Sequence, residues 1–348
     1  MEIRIYNREM NLLGVMENQT SLVWKRKYYE PGTAELYTPL TSENLKLTAI
    51  GNLIWMKGED ECAVIEDRVV EESWLHNRII VTGRFISSYM DRRLIRPKLT
   101  FSGKTEVAMR RILTEAYPIP RVELGALQGF TESVSFQATY KNLLTYETKL
   151  AKSSGLGYRF RPDFSEKKII FEVYRGVDRS FSQSRTNRVI FSEMYANLEN
   201  TVLRENEMLF KNCVYIGGEG SGSERIVESY GTEHSGLDRR ELFVDARDLS
   251  RDDMTEAEYR QVLLQRGHEK AADYERSSSI ECDTDANANF IYKVNYDLGD
   301  IVSIRKQAWG ITVDLRITEI HEVYESGKMK VVPIFGNPIE AATDWRDD

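Results

Sequence analysis

Short runs of β-forming residues, separated by turn residues, dominate the first hundred positions of the chain. Isoleucine, valine, tryptophan and tyrosine are concentrated in these runs, and turn pairs such as Pro31-Gly32 and Gly51-Asn52 lie between them. This pattern predicts strands at 2–6, 21–28, 34–37, 53–56, 63–70 and 78–87. Because several short strands in succession are typical of a barrel or sandwich, we expect residues 1–100 to form a β domain.

Residues 101–180 change to a mixed pattern. Apolar residues at helical spacing predict one helix at 104–117, which Pro118 ends, and a second helix between Thr139 and Gly155. Two strand-like runs follow around a Pro-Asp-Phe-Ser turn. We therefore predict a small α+β domain in this range.

Strand signals return at residue 181, and the clearest helix of the chain lies among them. Thr255 and Glu258 have the spacing of a capping box, which predicts a long helix at 255–276. We place residues 181–290 in a second β domain and residues 291–348 in a C-terminal β-rich segment that packs back on the rest. Strands in the last part of the chain are predicted at 290–296, 300–305, 311–324 and 329–335. The predicted fold class is α+β, dominated by β-structure.

A glycine-rich loop lies between two strand-like runs in residues 209–230, LFKNCVYIGGEGSGSERIVESY. A phosphate-binding loop would lead into a helix N-terminus, often through Lys-Ser or Lys-Thr. Here the loop leads into ERIVESY, which has the pattern of a second strand. The sequence therefore favours the tip of a long hairpin over a nucleotide site. Its candidate interaction residues are Gly217, Gly218, Gly220, Ser221 and Gly222.

Charge and cysteine content limit the functional classes. The net charge of −8 argues against a general nucleic-acid binder, which needs concentrated lysine and arginine. No run approaches the roughly 18 apolar residues of a membrane span, so no stable membrane association is expected. The N-terminus has charges where a signal peptide needs apolar residues. Cys62, Cys213 and Cys282 are interpreted as free buried thiols, and all of this predicts synthesis in a reducing cytoplasm.

Motifs for catalysis or metal binding are not found. The four histidines have no zinc-site spacing, and the serine elbow GxSxG is absent. Asp283, Asp285 and Asn287 imitate the start of a calcium loop. Ala288 replaces its required glycine and Val294 its final glutamate, so an Asp/Asn-rich turn is the better interpretation. We expect no catalytic residue, no cofactor and no metal.

Three stretches of the chain, residues 153–180, 187–249 and 296–327, resemble the gene-product-37-like siphovirus tail proteins of prophages in Gram-positive bacteria. The quoted matches include SSGLGYRFRPDF, NRVIFSEMYANLENTVLRENEMLFKNCVYIGG and YDLGDIVSIRKQAWGITVDL. The resemblance implies a baseplate hub, similar to the hub of contractile tails and to the N-terminal part of tail-associated lysins. In such a hub the β domains at 1–100 and 181–290 are tube-like.

What the resemblance implies for function is assembly. Such hubs are trimers whose tube-like domains present a pseudo-sixfold ring to the tail tube. The implied partners are a tail tube or distal tail protein, a spike or tip protein and the tape-measure protein, while DNA only passes through the channel. The implied location is the distal end of a virion or tail-like particle, after synthesis in the bacterial host cytoplasm. Because the chain ends soon after the hub pattern, we expect no lytic module.

Two other functions stay open at this stage. One is a tail-tip cell-wall hydrolase, since lytic domains accompany hubs in related proteins. The other is a receptor-binding or carbohydrate-binding module, suggested by exposed tyrosine and tryptophan. The particle itself is also open: a contractile or flexible phage tail, a defective prophage or a tail-like bacteriocin. For the glycine-rich loop we expect a hairpin tip at a subunit or partner contact, or facing the channel.

Overall fold

A computed structural model describes residues 1–96, 98–195, 197–251, 254–283, 289–325 and 327–336. Four α-helices are present in these residues: α1 (Ser42–Leu47), α2 (Thr105–Glu115), α3 (Leu143–Ser154) and α4 (Glu256–Ala271). The strands of the N-terminal half are β1 (Ile3–Tyr6), β2 (Leu12–Met16), β3 (Ser21–Lys27), β4 (Thr33–Pro39), β5 (Leu53–Met56), β6 (Ala63–Val64), β7 (Asp67–Glu72), β8 (Asn77–Arg84), β9 (Leu94–Ile95), β10 (Leu99–Lys104), β11 (Val122–Leu124), β12 (Ser133–Ala138), β13 (Lys141–Asn142), β14 (Gly157–Asp163) and β15 (Lys168–Tyr174). Those of the C-terminal half are β16 (Ile190–Ser192), β17 (Glu199–Asn206), β18 (Cys213–Gly217), β19 (Val227–Tyr230), β20 (Glu241–Asp245), β21 (Ser277–Asp283), β22 (Ile301–Lys306), β23 (Ile311–Glu325) and β24 (Lys328–Gly336).

The largest sheet has ten strands and contains strands from both the N-terminal and the C-terminal parts of the chain. Its main path runs β17-β21-β24-β23-β3-β4-β8-β7, and β22 and β16 branch from β23. Every ladder on the main path is antiparallel. In β3 and β4 alternate residues are buried, as expected of strands with one face on a core. Trp24 and Leu36 are fully buried on that face.

Strand β23 connects two parts of this sheet. Its first residues pair with β22, in the register Ile301↔Arg316, whereas its later residues pair with β24 and with β3. The ladder with β24 shifts register between Ile317 and Glu319. A register shift of this kind bends a strand. One fifteen-residue strand can therefore contribute to both the N-terminal and the C-terminal cores.

The α+β unit contains α2 and α3, whose buried residues share one core with Tyr6 of β1 and Leu53 of β5. Helices α2 and α3 lie in the predicted ranges, but α2 is shorter than 104–117, since Lys104 belongs to β10 and Ala116 is the C-cap. Gly155 ends α3 with a φ of 68°. Asn142 caps α3, because its side chain accepts a hydrogen bond from the Thr145 amide. Strands β14 and β15 form the predicted hairpin, and β11 pairs with β15 in parallel.

A small lobe is formed by the sheet β19-β18-β20 and helix α4. The predicted capping box is confirmed: Thr255 accepts from the Glu258 amide, and Glu258 accepts from the Thr255 amide. Tyr259, Val262 and Leu263 of the helix are buried against Val214 and Ile216 of the sheet. One face of the helix thus stabilises the lobe. Two of its charged residues are also buried: Glu269 accepts a hydrogen bond from the Tyr146 hydroxyl at 3.0 Å, and Arg266 donates to Asp248 at 3.0 Å.

Two strand predictions are wrong. Residues 290–296 form a turn, in which the amides of Val294 and Asn295 both donate to the Ile291 carbonyl. Lys293, at a φ of 64°, leaves the extended conformation there. The predicted strand 63–70 is two strands, β6 and β7, in different sheets. Strands β10 and β12 and the short helix α1 are additional to the predicted elements.

The fold class is confirmed as α+β and β-dominated, with several sheets and few helices. The division at residues 100, 180 and 290 stays a prediction. Strands on both sides of these limits share the ten-stranded sheet. The Asp/Asn-rich turn falls largely on residues 284–288, and the end of the C-terminal segment falls on 337–348. Both lie outside the described residues.

Candidate interaction loop and its surroundings

The glycine-rich loop joins two antiparallel strands. β18 and β19 pair from Val214↔Tyr230 to Gly217↔Val227, so residues 218–226 are the connection of a hairpin. After one short turn of 3₁₀ helix at Gly222–Glu224, the chain enters β19. The strand context inferred from the sequence is therefore observed.

Two of the five candidate residues belong to the core of the lobe. Gly217 and Gly218 are buried. A Cβ at Gly218 would lie 2.6 Å from the Tyr259 hydroxyl and 2.9 Å from a Leu263 methyl. This close approach to α4 explains the glycine at position 218, since any side chain there would force Tyr259 and Leu263 to move.

The other three candidate residues form the exposed tip. Gly220, Ser221 and Gly222 are all exposed. Gly220 has a φ of +101° and Gly222 a φ of +56°, which is the left-handed region that favours glycine. A Cβ at Gly222 would meet nothing within 4 Å. The tip is thus shaped by backbone conformation, and solvent surrounds it.

Tyr259 fixes the base of the loop. Its hydroxyl accepts a hydrogen bond from the Glu219 amide at 2.7 Å and donates one to the Leu249 carbonyl at 3.1 Å. The tyrosine is fully buried. One side chain of α4 therefore joins the hairpin to the segment that follows β20.

Arg225 holds the second side of the loop. Its guanidinium donates to the carbonyls of Gly217 and Gly218 at 2.8 and 3.1 Å, and to Asp245 at 2.7 Å. Hydrogen bonds from Arg247, and then from Arg225, lower the pKa of the Asp245 carboxyl to about 2. Arg225 also lies over the Phe243 ring, 5.3 Å from its centroid. The arginine thus crosses the hairpin and fixes it to β20.

A phosphate cradle needs free backbone amides at the start of a helix. In this loop the Gly218 amide donates to the Ile226 carbonyl, and the Glu219 amide donates to Tyr259. The loop also leads into a strand. The loop is therefore a hairpin connection held by side-chain hydrogen bonds. This geometry agrees with the sequence interpretation, which favoured a hairpin over a nucleotide site.

The cysteine prediction is confirmed, because Cys62, Cys213 and Cys282 are free and buried. Within the described residues, no group of three His, Cys, Asp or Glu side chains is placed to hold a metal ion. No helix in the described part of the chain is long and apolar enough to span a bilayer.

A buried polar network between β3, β23 and the turn at 290–296 was not foreseen. Arg26 is 5% exposed and donates to the Tyr292 hydroxyl at 2.7 Å and to Asp297 at 2.6 Å. The hydroxyls of Tyr292 and Tyr324 each donate to one oxygen of Glu322. Only the tertiary structure brings Arg26 to this group, since it is 266 positions from Tyr292 and 271 from Asp297.

A cleft of about 860 Å³ opens where the lobe, the α+β unit and the large sheet meet. Glu132, Glu275 and His268 are among its lining residues. Burial raises the pKa of Glu275. For Glu132, burial is the largest single effect and acts to raise the pKa, but the hydrogen bond and charge of Arg175 together with backbone hydrogen bonds outweigh it and leave that pKa lowered. The cleft thus contains carboxylates in contrasting environments.

Comparison with solved structures shows the fold of phage tail proteins. A tail protein from Neisseria meningitidis MC58 superposes with a TM-score of 0.59 at 12% identity, over 97% of this chain and 95% of that one. Prophage tail protein gp18 from Listeria monocytogenes EGD-e gives a TM-score of 0.57 at 13% identity, over 98% and 96%. The 43 kDa tail protein of prophage MuSo2 from Shewanella oneidensis gives 0.58 at 11% identity, over 96% and 98%.

The sequence family is also established. Residues 2–337 match the model of the siphovirus ReqiPepy6 Gp37-like proteins, and the chain belongs to this family. No curated protein matches the chain. Family and fold together place it among the structural proteins of phage tails, and the resemblance inferred from the sequence is confirmed.

Proposed function

We propose that this protein is a baseplate hub. It forms a homotrimer that joins the tail tube to the spike or tip, adapts sixfold to threefold symmetry and surrounds a central channel. The observation that carries the proposal is membership of the Gp37-like family, together with the fold shared with prophage tail proteins over almost the whole chain. Its location would be the distal end of the virion or tail-like particle.

The open edges of the ten-stranded sheet support a ring. β7 and β17 are the outermost strands of its main path. Seven consecutive antiparallel ladders separate them, so these two strands run in opposite directions. Head-to-tail addition of copies would therefore continue the antiparallel order, and such an interface closes into a ring when the rotation permits. Val70 and Val202, on the two edges, are 44% and 43% exposed.

The acidic charge of the protein fits a channel for transport. With a net charge of −8, a lumen lined by this chain would repel DNA and let it pass. The tape-measure protein would occupy the same channel before DNA release. The tail tube or distal tail protein would bind at one end of the ring and the spike or tip protein at the other.

Mass measurement in solution tests the trimer. We expect three times the protomer mass of 40.3 kDa, alone or with the tube and spike partners. Val70→Lys and Val202→Lys place a charge on the two sheet edges and should shift the protein toward monomer. Val107→Lys, at a 38% exposed position of helix α2, is the matched control. A strict monomer that binds neither partner would refute the hub.

For the loop we propose that its tip, Gly220 to Gly222, lies at a subunit or partner contact or faces the channel. Ser221→Trp adds bulk at the tip and should reduce trimer formation or tube attachment. Ser235→Trp, at another exposed loop position of the lobe, is the control. If both variants assemble like the wild type, the tip is only a turn.

We propose a structural role, without catalysis. The competing hydrolase function has one observation in its favour, the cleft with Glu132 and Glu275 in contrasting environments. A turbidity assay on host cell walls decides between the two. Clearing by the wild type that is lost in Glu275→Gln or Glu132→Gln would establish the enzyme. Absence of clearing, with assembly retained, supports the hub.

A further inference from the structure

The hairpin of β7 and β8 carries two exposed apolar side chains at its tip. The last ladder pair is Glu72↔Asn77, and the turn of residues 73–76 lies beyond it. Trp74 is 91% exposed and Leu75 63% exposed. Of the other described tryptophans, Trp24 is buried, Trp55 is partly buried and Trp309 is 45% exposed.

The turn that presents these side chains is closed by local hydrogen bonds. The Ser73 hydroxyl accepts hydrogen bonds from the amides of Leu75 and His76 at 3.2 and 2.9 Å. The Ser73 amide donates to the His76 carbonyl at 2.8 Å. The turn is therefore closed by its own backbone and by one serine, and Trp74 and Leu75 are not needed for it. Tryptophan is enriched among interface hot spots, and a backbone already held by hydrogen bonds loses less conformational entropy on binding.

The charge around the tip indicates the chemistry of the partner. Glu71 and Glu72 end β7 directly before the turn. Glu71 pairs with Arg78, whereas Glu72 has no ion pair among the described residues. An anionic membrane surface would repel this group. A protein pocket that is apolar inside and basic at its rim complements both features.

We propose that the turn 73–76 is a rim anchor, which inserts Trp74 and Leu75 into an apolar, basic-rimmed pocket of a different protein stacked on one end of the hub ring. This inference rests on the proposed function. In the proposed ring, neighbouring copies would pair through the edge strands β7 and β17. The turn 73–76 lies beyond the end of β7. It would therefore stay available for axial contact after the ring has closed.

Hydroxyl-radical footprinting of Trp74 tests the anchor in three samples: the purified chain, its homo-oligomer and tails isolated from particles. Trp309, which is 45% exposed, serves as the internal reference. We expect oxidation of Trp74 to be at least tenfold slower in the tails and unchanged in the homo-oligomer. If Trp74 is oxidised as fast in the tails as in the purified chain, the anchor proposal is overturned and the hub proposal is not. Protection already in the homo-oligomer makes it a contact between copies and also overturns it. A chain missing from the tails overturns the hub proposal together with this one.

Variants give a second measurement. Trp74→Ala should weaken attachment of the stacked protein at least about 30-fold, as expected for loss of an interface hot spot, and should lower the yield of complete tails in cells that depend on the variant gene. Glu72→Lys should lower it less. Leu237→Ala removes a fully exposed apolar side chain in the lobe and is the control. Normal yield with Trp74→Ala, or binding of the purified chain to phosphatidylserine vesicles or cell-wall glycan through Trp74, overturns the proposal.

Discussion

Tyr259→Phe removes one oxygen atom from the base of the glycine-rich loop. This oxygen accepts from the Glu219 amide and donates to the Leu249 carbonyl. Leu249 is 1% exposed and Tyr259 is fully buried, so no solvent replaces the lost donor at the carbonyl. Glu219 is exposed, and its amide can bind water after the substitution.

The expected cost follows from these two bonds. A buried carbonyl left without a partner costs about 1–3 kcal/mol, and a hydrogen bond that water can replace contributes about 0.5–1.5 kcal/mol. We therefore expect Tyr259→Phe to lower the free energy of unfolding of the lobe by about 1.5–4.5 kcal/mol. Tyr230→Phe is the matched control. The Tyr230 hydroxyl is buried and has no hydrogen-bond partner in the described structure, so its removal should be neutral or slightly stabilising.

The measurement must follow the lobe itself. Residues 209–276 contain no tryptophan, so fluorescence of the whole chain reports on other regions. Urea unfolding monitored by circular dichroism, combined with hydrogen exchange of peptides covering 217–222 and 249, follows the relevant segment. If Tyr259→Phe and Tyr230→Phe have the same stability and the same exchange at residues 217–222, α4 does not brace the loop and the reasoning is refuted.

Three further outcomes are expected. Gly218→Ala should destabilise the lobe by about 1–3 kcal/mol, because its Cβ would overlap Tyr259 and Leu263, whereas Gly222→Asn at the open tip should cost little; equal urea midpoints would contradict this. Glu147 is fully buried, and neither of its oxygens has a hydrogen-bond partner among the described residues, so burial raises its pKa well above 4.5. Because the folded protein favours the protonated carboxyl, the contribution of Glu147 to the free energy of unfolding is fully present below its unfolded-state pKa. This contribution is lost as the pH rises toward its folded-state pKa. The stability of Glu147→Gln relative to wild type should therefore increase between pH 5 and 8, by up to about 1.4 kcal/mol per pH unit, and a constant difference in urea unfolding would count against it. Mercury or maleimide reagents should reach Cys62, Cys213 and Cys282 only after unfolding, and rapid labelling of the native protein would contradict their burial.

Local signals were sufficient where neighbours in sequence make the structure. The capping box at Thr255 and Glu258 defines the start of α4 from four consecutive residues. The ends of α2 and α3 follow from Pro118 and Gly155, since proline cannot continue a helix and glycine adopts the left-handed conformation at its end. The hairpin around the glycine-rich loop was recognisable for the same reason.

Local signals failed where distant residues decide the conformation. Residues 290–296 have the composition of a strand, yet the buried hydrogen bonds of Tyr292 with Arg26 and Glu322 hold them in a turn. For the candidate site, the sequence identified the five loop residues but not which of them are buried and which are exposed. Gly217 is covered by Arg225, and Gly218 by Tyr259 and Leu263 of α4. Trp74 gave no signal because exposure is a property of the folded surface.

The sequence by itself determined the β-dominated class, the positions of the main helices, the hairpin at the glycine-rich loop and the family. These depend on periodicity, caps and turn residues within a few positions of each other. Only the tertiary structure decided that β3 pairs with β23, almost 300 residues away, and that β7 and β17 are the edges of one sheet. An edge strand and a central strand can have the same residue pattern, because the difference between them is the presence of a neighbour.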